Sequence, residues 1–330
     1  MHPLPPNLPA PLSAFLTEVR EIKRLRVAAG YRHTPTNARE ALEFMTRRHL
    51  IQIPPIALIR DEIIPGADYD VPVRLYHPAP DEPLPVALFV HGGGHVSGSV
   101  SLYDPIARKL AAASRRLIVS IDYRLAPECP YPNALKDLIA CVKGVFPLLD
   151  SLRDRLSFTP RLALVGDSGG GALCASAAHL TQFEPGVAIE RQALIYPSLD
   201  YTLSKPSVTE NGEGLLLERQ RILWYFDSYF QRAENRREVS PLFMPLTPDY
   251  PPTLVATAEF CPLRDEGIAY VERLREYRIK VEHIHYPGLV HAFLNLEDLV
   301  PDTCAELYRR VGDFLAGPTT RDDDAKSVRS

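Results

Sequence analysis

The sequence predicts an α/β protein built on a mostly parallel, doubly wound sheet, and three observations carry that expectation. Short apolar runs alternate with segments of helical spacing through most of the chain, the pattern of a parallel sheet flanked by helices. Leu162–Cys174 reads LALVGDSGGGALC, an apolar strand that stops at a glycine-rich turn and continues as a small-residue helix. A second buried strand, Val86–Val90, runs directly into His91-Gly92-Gly93-Gly94. In such sheets functional groups gather at the carboxyl ends of the strands. His91–Gly94, Ser168, the loop after Ala258 and the loop after Tyr286 all fall there.

The elements follow in order. Residues 1–11 are proline-rich, and Leu12, Phe15, Leu16, Val19, Ile22 and Leu25 then recur at helical spacing as far as about Ala29. A second helix is expected around Asn37–Leu50, so residues 1–54 make a helical N-terminal piece. Ile56–Ile64 and the alternating Val71–Tyr76, joined through Pro65-Gly66, predict an antiparallel hairpin. Strand Val86–Val90, helix Pro105–Ser114, strand Leu117–Ile121 and helix Asn133–Leu149 lead to strand Leu162–Val165 and its serine turn. A strand at Ala193–Tyr196 precedes a long excursion, Leu199–Val239, whose helical part carries Trp224, Tyr225, Phe226, Tyr229 and Phe230. Thr253–Ala258 and Val281–Tyr286 are the last strands, with a helix at Glu266–Tyr277 between them. The closing helix, Cys304–Leu315, sets Leu307, Tyr308, Val311, Phe314 and Leu315 on one face. The core then comprises residues 55–198 and 240–316, with a second insertion over 199–239 and a disordered tail over 317–330.

The bulk composition excludes several function classes. With 330 residues, 45% apolar and 24% charged, the chain suits a soluble α/β domain with an added helical layer. A formal charge of −4 leaves no basic footprint, so no nucleic-acid partner is expected. The start, MHPLPPNLPAPL, lacks the basic and apolar regions of a signal peptide. No window approaches the roughly 20 apolar residues of a membrane span. Five cysteines without a C-x-x-C pair read as reduced thiols, which points to the cytoplasm.

The chemistry concentrates at the serine turn. Gly166-Asp167-Ser168-Gly169-Gly170 fits G-x-S-x-G, in which a strained strand-to-helix turn lifts the serine hydroxyl out of the sheet and leaves amides at a helix N-terminus to stabilise an oxyanion. Gly92, Gly93 and Gly94 let the backbone after the neighbouring strand approach a substrate and aim several N–H groups at one point. A nucleotide cofactor is not expected, because Ser97 stands where G-x-G-x-x-G needs its third glycine and no P-loop pattern exists. His283 and His285 share a strand face, and two histidines alone are weak support for a metal, so no metal is expected either. His91, Gly92, His95, Tyr103, Asp167 and Trp224 are candidate pocket residues; His95 either touches substrate or fills space.

These segments together resemble the hormone-sensitive-lipase-type branch of the α/β-hydrolases, which includes the bacterial family IV esterases. The resemblance rests on HGGG (91–94), DYRLAPE (122–128) followed by YPNALKD, GDSGGG (166–171), LIYPSLD (194–200), PLRDEG (262–267) and YPGLVHAF (286–293). It covers roughly residues 55–315. It implies an α/β-hydrolase core of about eight strands, with a helical cap from 1–54 and 199–239. It also implies Ser168 as nucleophile, His291 as general base, and Gly93, Gly94 and Gly169 as oxyanion donors. A small-molecule acyl ester is the implied substrate, and a homodimer through the last strand and helix is the implied assembly.

One position departs from the family. Its acidic residue, which orients the histidine, is replaced by Cys261, 30 residues before His291. A thiol with a free pKa of about 8.5 is mostly neutral at pH 7 and a weak acceptor. Three accounts stay open: Asp265 or Glu259 swings in, a Ser168–His291 dyad works alone, or the pocket runs acyl transfer or cyclisation instead of hydrolysis. Hydrolysis of short- to medium-chain carboxylic esters is the leading expectation. A non-catalytic receptor is disfavoured by the presence of His291.

Overall fold

The computed structural model describes residues 3–184 and 186–317; from residue 318 onward the expected tail lies outside them. Two helices come first. In α1 (Ala10–Ala28), Leu12, Phe15 and Leu16 are buried, but the same apolar stripe surfaces further along, with Ile22 39% and Leu25 54% exposed. Helix α2 (Pro35–His49) starts at a capping box, in which Thr34 accepts from the Asn37 amide and the Asn37 side chain returns the bond. Such a box satisfies two amides that a helix start leaves without partners.

The sheet begins with the expected hairpin, β1 (Leu58–Ile64) antiparallel to β2 (Val71–His77). Then come β3 (Leu84–Val90), α3 (Asp104–Ser114), β4 (Leu117–Ile121), α4 (Asn133–Asp150) and β5 (Phe158–Asp167). Next are α5 (Gly169–Thr181) and β6 (Ile189–Ile195), followed by the excursion with a short α6 (Ser207–Glu210) and α7 (Arg219–Tyr229). The chain closes with β7 (Thr253–Phe260), α8 (Arg264–Glu276), β8 (Val281–Val290) and α9 (Pro301–Ala316). Eight strands form one sheet in the order β1-β2-β4-β3-β5-β6-β7-β8. Only the pairs β1/β2 and β2/β4 are antiparallel.

The expected elements are all present, and β5, β6, β7 and β8 extend beyond their apolar runs, β6 beginning at Ile189. Strand β5 starts at Phe158, ahead of Leu162, because Leu84 and Pro85 of β3 pair with Phe158 and Thr159 before the register shifts. That outer stretch is half-exposed, so no apolar run marks it.

The strand order explains where the site lies. From β3 the chain steps to β4 on one side, while β5 takes the place on its other side. Such a reversal opens a crevice at the carboxyl ends of the two strands, and β3 ends just before His91 while β5 ends just before Ser168. Glycines set the spacing beneath it. A β-carbon on Gly170 would fall 2.0 Å from the Val90 carbonyl oxygen, and one on Gly166 would fall 2.5 Å from that of Gly170. Gly169 is different, with its nearest neighbours 3.3–3.4 Å away in His95 and Gly94.

Gly170→Ala should therefore destabilise the protein by about 1–3 kcal/mol or prevent its folding, because backbone must move. Gly169→Ala should melt within a few degrees of the parent. Thermal unfolding of the two variants checks the contrast; equal melting temperatures would mean that the helix does not rest on β3 as described.

Candidate active site

Ser168 is the one residue between β5 and α5, and its backbone sits at φ 51°, ψ −119°. A non-glycine residue keeps that conformation only when its surroundings hold it there. Here the Ser168 amide donates to the Ile195 carbonyl at 2.8 Å, and its own carbonyl accepts from the Ser198 amide at 3.1 Å. The side chain turns toward His291, with Oγ 2.9 Å from Nε2. His291 directly follows β8, three strands away at about 4.8 Å each. The chain turns just after it, with Ala292 left-handed (φ 59°) and a 3₁₀ turn over Phe293–Leu299. Tyr196 packs edge-on against the His291 ring, centroids 4.8 Å apart.

The far side of the imidazole meets sulfur. Cys261 Sγ lies 3.1 Å from His291 Nδ1 and also accepts the Leu263 amide N–H at 3.3 Å. The thiol is 1% exposed, and burial pushes its pKa up, so it stays protonated. Both candidate substitute acids are engaged elsewhere. Asp265 accepts from the Ser207 amide at 2.9 Å and from Arg264 Nε at 2.7 Å. Glu259 accepts from the Asn7 side chain at 2.8 Å and the Gly288 amide at 2.6 Å. Among the described residues no carboxylate contacts His291, and burial drives its pKa down to about 3.

The loop after β3 faces Ser168 from the other side. Gly93 (φ 116°) and Gly94 (φ 63°) adopt conformations open to glycine. Their amides, with that of Gly169 at the first turn of α5, have no acceptor among the described residues. The loop is clamped by side chains that take no direct part in the relay. His91 Nδ1 bonds the Gly92 carbonyl at 2.8 Å and its ring stacks on Tyr123 at 4.4 Å, while the Tyr123 hydroxyl donates to the His91 carbonyl. Asp167 Oδ1 accepts the Gly92 amide at 2.7 Å. Burial raises the Asp167 carboxyl to about 7, although the Gly92 amide and the Tyr103 hydroxyl pull the other way.

The remaining sequence candidates divide by position. His95 stacks on Tyr229 at 4.0 Å and faces the Tyr201 hydroxyl at 3.3 Å, so it fills the joint between loop and α7. Tyr103 is buried against His91, with ring centroids 5.3 Å apart. Trp224 sits further out on α7, against His33 and Tyr225. His283 and His285 both hydrogen-bond the Thr257 hydroxyl, away from Ser168. Two contributors escaped the sequence reading. The Tyr225 ring presses on the Gly93–Gly94 loop, where a β-carbon on Gly94 would lie 2.6 Å from it. Arg39 of α2 ties the same loop down by donating to the Val96 and Ala126 carbonyls at 2.9 and 3.2 Å and pairing with Glu128. Only an aromatic on α7 and a basic residue on α2 marked them in sequence, and neither has a spacing signature.

Comparison with known proteins agrees with this geometry. Residues 87–295 match the Abhydrolase_3 model, described as an alpha/beta hydrolase fold. The carboxylesterase NlhH of Mycobacterium tuberculosis is 36% identical over 239 residues, 70% of this chain and 74% of the relative. An ethyl acetate hydrolase of Pseudomonas putida is 32% identical, over 71% of this chain and 74% of its own. A hyperthermophilic esterase from Pyrobaculum calidifontis superposes with a TM-score of 0.78 at 30% identity, covering 88% of this chain and 95% of that one. With a match over well more than half its length and the Ser168 elbow at the predicted place in the sheet, the chain belongs to the Abhydrolase_3 family of alpha/beta hydrolases.

Proposed function

We propose that this protein is a serine ester hydrolase for short- to medium-chain carboxylic esters, with Ser168 as nucleophile and His291 as its base. The observation that carries the reading is the 2.9 Å contact between Ser168 Oγ and His291 Nε2 at a strained elbow, beside three unengaged glycine amides. His291 takes the hydroxyl proton as Oγ attacks the ester carbonyl, and the Gly93, Gly94 and Gly169 amides receive the oxyanion. The imidazolium then protonates the leaving alkoxide, and water releases the acyl group by the same steps in reverse order of partners. The named esterases among its relatives favour hydrolysis over transfer or cyclisation. In this reading α1, α2 and α7 form the cap over the acyl pocket, with Trp224 and Tyr225 in its wall.

Cys261 sets the pace. For Nε2 to accept the serine proton, Nδ1 must carry the ring hydrogen and donate it to sulfur, a weak acceptor already taking the Leu263 amide. A protonated thiol can instead donate to Nδ1, which moves the ring hydrogen to Nε2 and leaves no base for Ser168. In serine proteases the analogous tautomer error, made by replacing the carboxylate with an amide, lowers turnover about 10⁴-fold. The neutral thiol also does nothing to hold the imidazolium once it forms.

On p-nitrophenyl butyrate, Ser168→Ala should abolish turnover, and Cys261→Asp should raise kcat by about 10²–10⁴-fold. No gain from Cys261→Asp would mean that the relay tolerates the thiol; activity surviving Ser168→Ala would overturn the reading itself.

The pH dependence gives a second check. The active base is neutral imidazole, so the His291 limb of kcat/KM in the parent lies near pH 3. A carboxylate at 261 favours imidazolium and moves that limb upward, toward the ordinary histidine value of about 6.5. The profiles are best compared in the Asp167→Asn background, which removes a second carboxyl titration at about 7. A limb unmoved by Cys261→Asp would show that His291 is not the titrating base.

A further inference from the structure

The cap contains a cation with no anion. Arg221, in the first turn of α7, is half-buried and makes no ion pair among the described residues. Its one hydrogen bond at normal range runs to the Tyr225 hydroxyl at 3.3 Å, with the guanidinium also 5.8 Å from that ring's centroid. The nearest acid in sequence, Glu218 just before α7, is already held by Lys23 Nζ at 2.7 Å and by the Gly214 amide at 3.0 Å. Burial works against the Arg221 charge, and the Tyr225 and Tyr31 hydroxyls facing it more than offset that.

Two further polar atoms beside it lack partners. The Tyr31 hydroxyl and His33 Nδ1 are both buried without a hydrogen bond. Tyr31 packs edge-on to His33, which packs on Trp224, at centroid separations of 5.6 and 5.7 Å. Arg221 also depresses the His33 pKa, after burial itself, so the imidazole is neutral and can donate from one nitrogen. Proteins rarely bury an arginine without an anion beside it, and rarely leave buried polar atoms next to it without partners. Tyr225 connects this group to the chemistry, since its ring lies on Gly94 of the oxyanion loop and its hydroxyl is the one Arg221 holds.

We infer that Arg221, with Tyr31, His33 and Tyr225 around it, is a subsite for a carboxylate carried by the substrate, so that the preferred esters are those of molecules with a second, ionised acid group. The inference rests on the ester-hydrolase reading of Ser168 and names the substrate class that reading leaves open. The guanidinium offers two parallel N–H groups to a carboxylate, and the hydroxyls and the imidazole supply the remaining donors. A neutral acyl or alkyl chain in the same place would leave the charge buried and unpaired.

The test uses matched ester pairs: p-nitrophenyl butyrate against mono-p-nitrophenyl glutarate for an anion on the acyl side, and phenyl butyrate against 4-carboxyphenyl butyrate for the alcohol side. In one pair the parent should favour the anionic ester in kcat/KM by about tenfold or more, and Arg221→Gln should remove that preference. Arg221→Lys should retain part of it. Preference for the neutral ester in both pairs, or a preference unchanged in Arg221→Gln, overturns the inference. A binding measurement separates this from failure of the hydrolytic reading. Titrating monomethyl glutarate and methyl butyrate into Ser168→Ala protein by calorimetry should show tighter binding of the anion, lost when Arg221→Gln is added. If no ester is turned over, the hydrolytic reading fails while this binding comparison still decides the subsite. A melting temperature for Arg221→Gln close to the parent's shows that the loss is not unfolding.

Discussion

The carboxyl end of this sheet is organised by how closely α5 approaches β3 and β5. Gly170 lies so near the Val90 carbonyl, and Gly166 so near Gly170, that a single methyl at either place would collide with backbone. That closeness forces the chain through the strained conformation at Ser168 and points the first amides of α5 at the space beside its hydroxyl. The Gly93–Gly94 loop follows directly from the end of β3 that α5 touches at Val90, so it borders the same space. The strained turn at Ser168 and the approach of the glycine loop are two results of one packing constraint.

The second constraint is electrical. The family resemblance implies a carboxylate behind the histidine; this chain places a buried thiol there, which accepts the Leu263 amide. The geometry of a relay survives while the charge that would stabilise its working form is gone. Burial then leaves His291 a neutral imidazole that is costly to protonate. Neighbouring acids do not compensate, since Asp265 and Glu259 each satisfy backbone amides and side chains of other segments. Moving either would leave those donors without partners, a cost comparable to the gain.

The helical segments at the mouth are joined to the core through polar ties as well as apolar packing. Arg39 fastens α2 to the loop around Val96 and Ala126, and Lys23 fastens α1 to Glu218 at the start of α7. Glu266, fully buried at the first turn of α8, receives the Leu199 and Asp200 amides and anchors the start of the excursion. These ties fix where Tyr225 and Arg221 stand relative to Ser168. Donors held in position before any ligand arrives lower the ordering cost of binding one.

The sequence by itself determined the fold class, the strand order of events along the chain, the serine elbow and the glycine loop. Each depends on local chemistry: apolar runs of strand length, helical spacing, and glycines where a β-carbon cannot fit. It also exposed the missing acid, because the position of Cys261 is fixed by its distance from His291 along the chain. What only the tertiary structure decided are the relations between distant segments. That Asp265 and Glu259 are engaged elsewhere, that His95 fills a joint, and that Arg39, Tyr225 and Arg221 crowd the mouth could not be read locally. Side chains tens or hundreds of residues apart meet there through the crossing of strands and the placement of α1, α2 and α7, and no periodicity or spacing encodes such a meeting. The reason is physical: a turn is specified by the few residues that compose it, whereas a pocket wall is specified by whatever the folded backbone brings alongside.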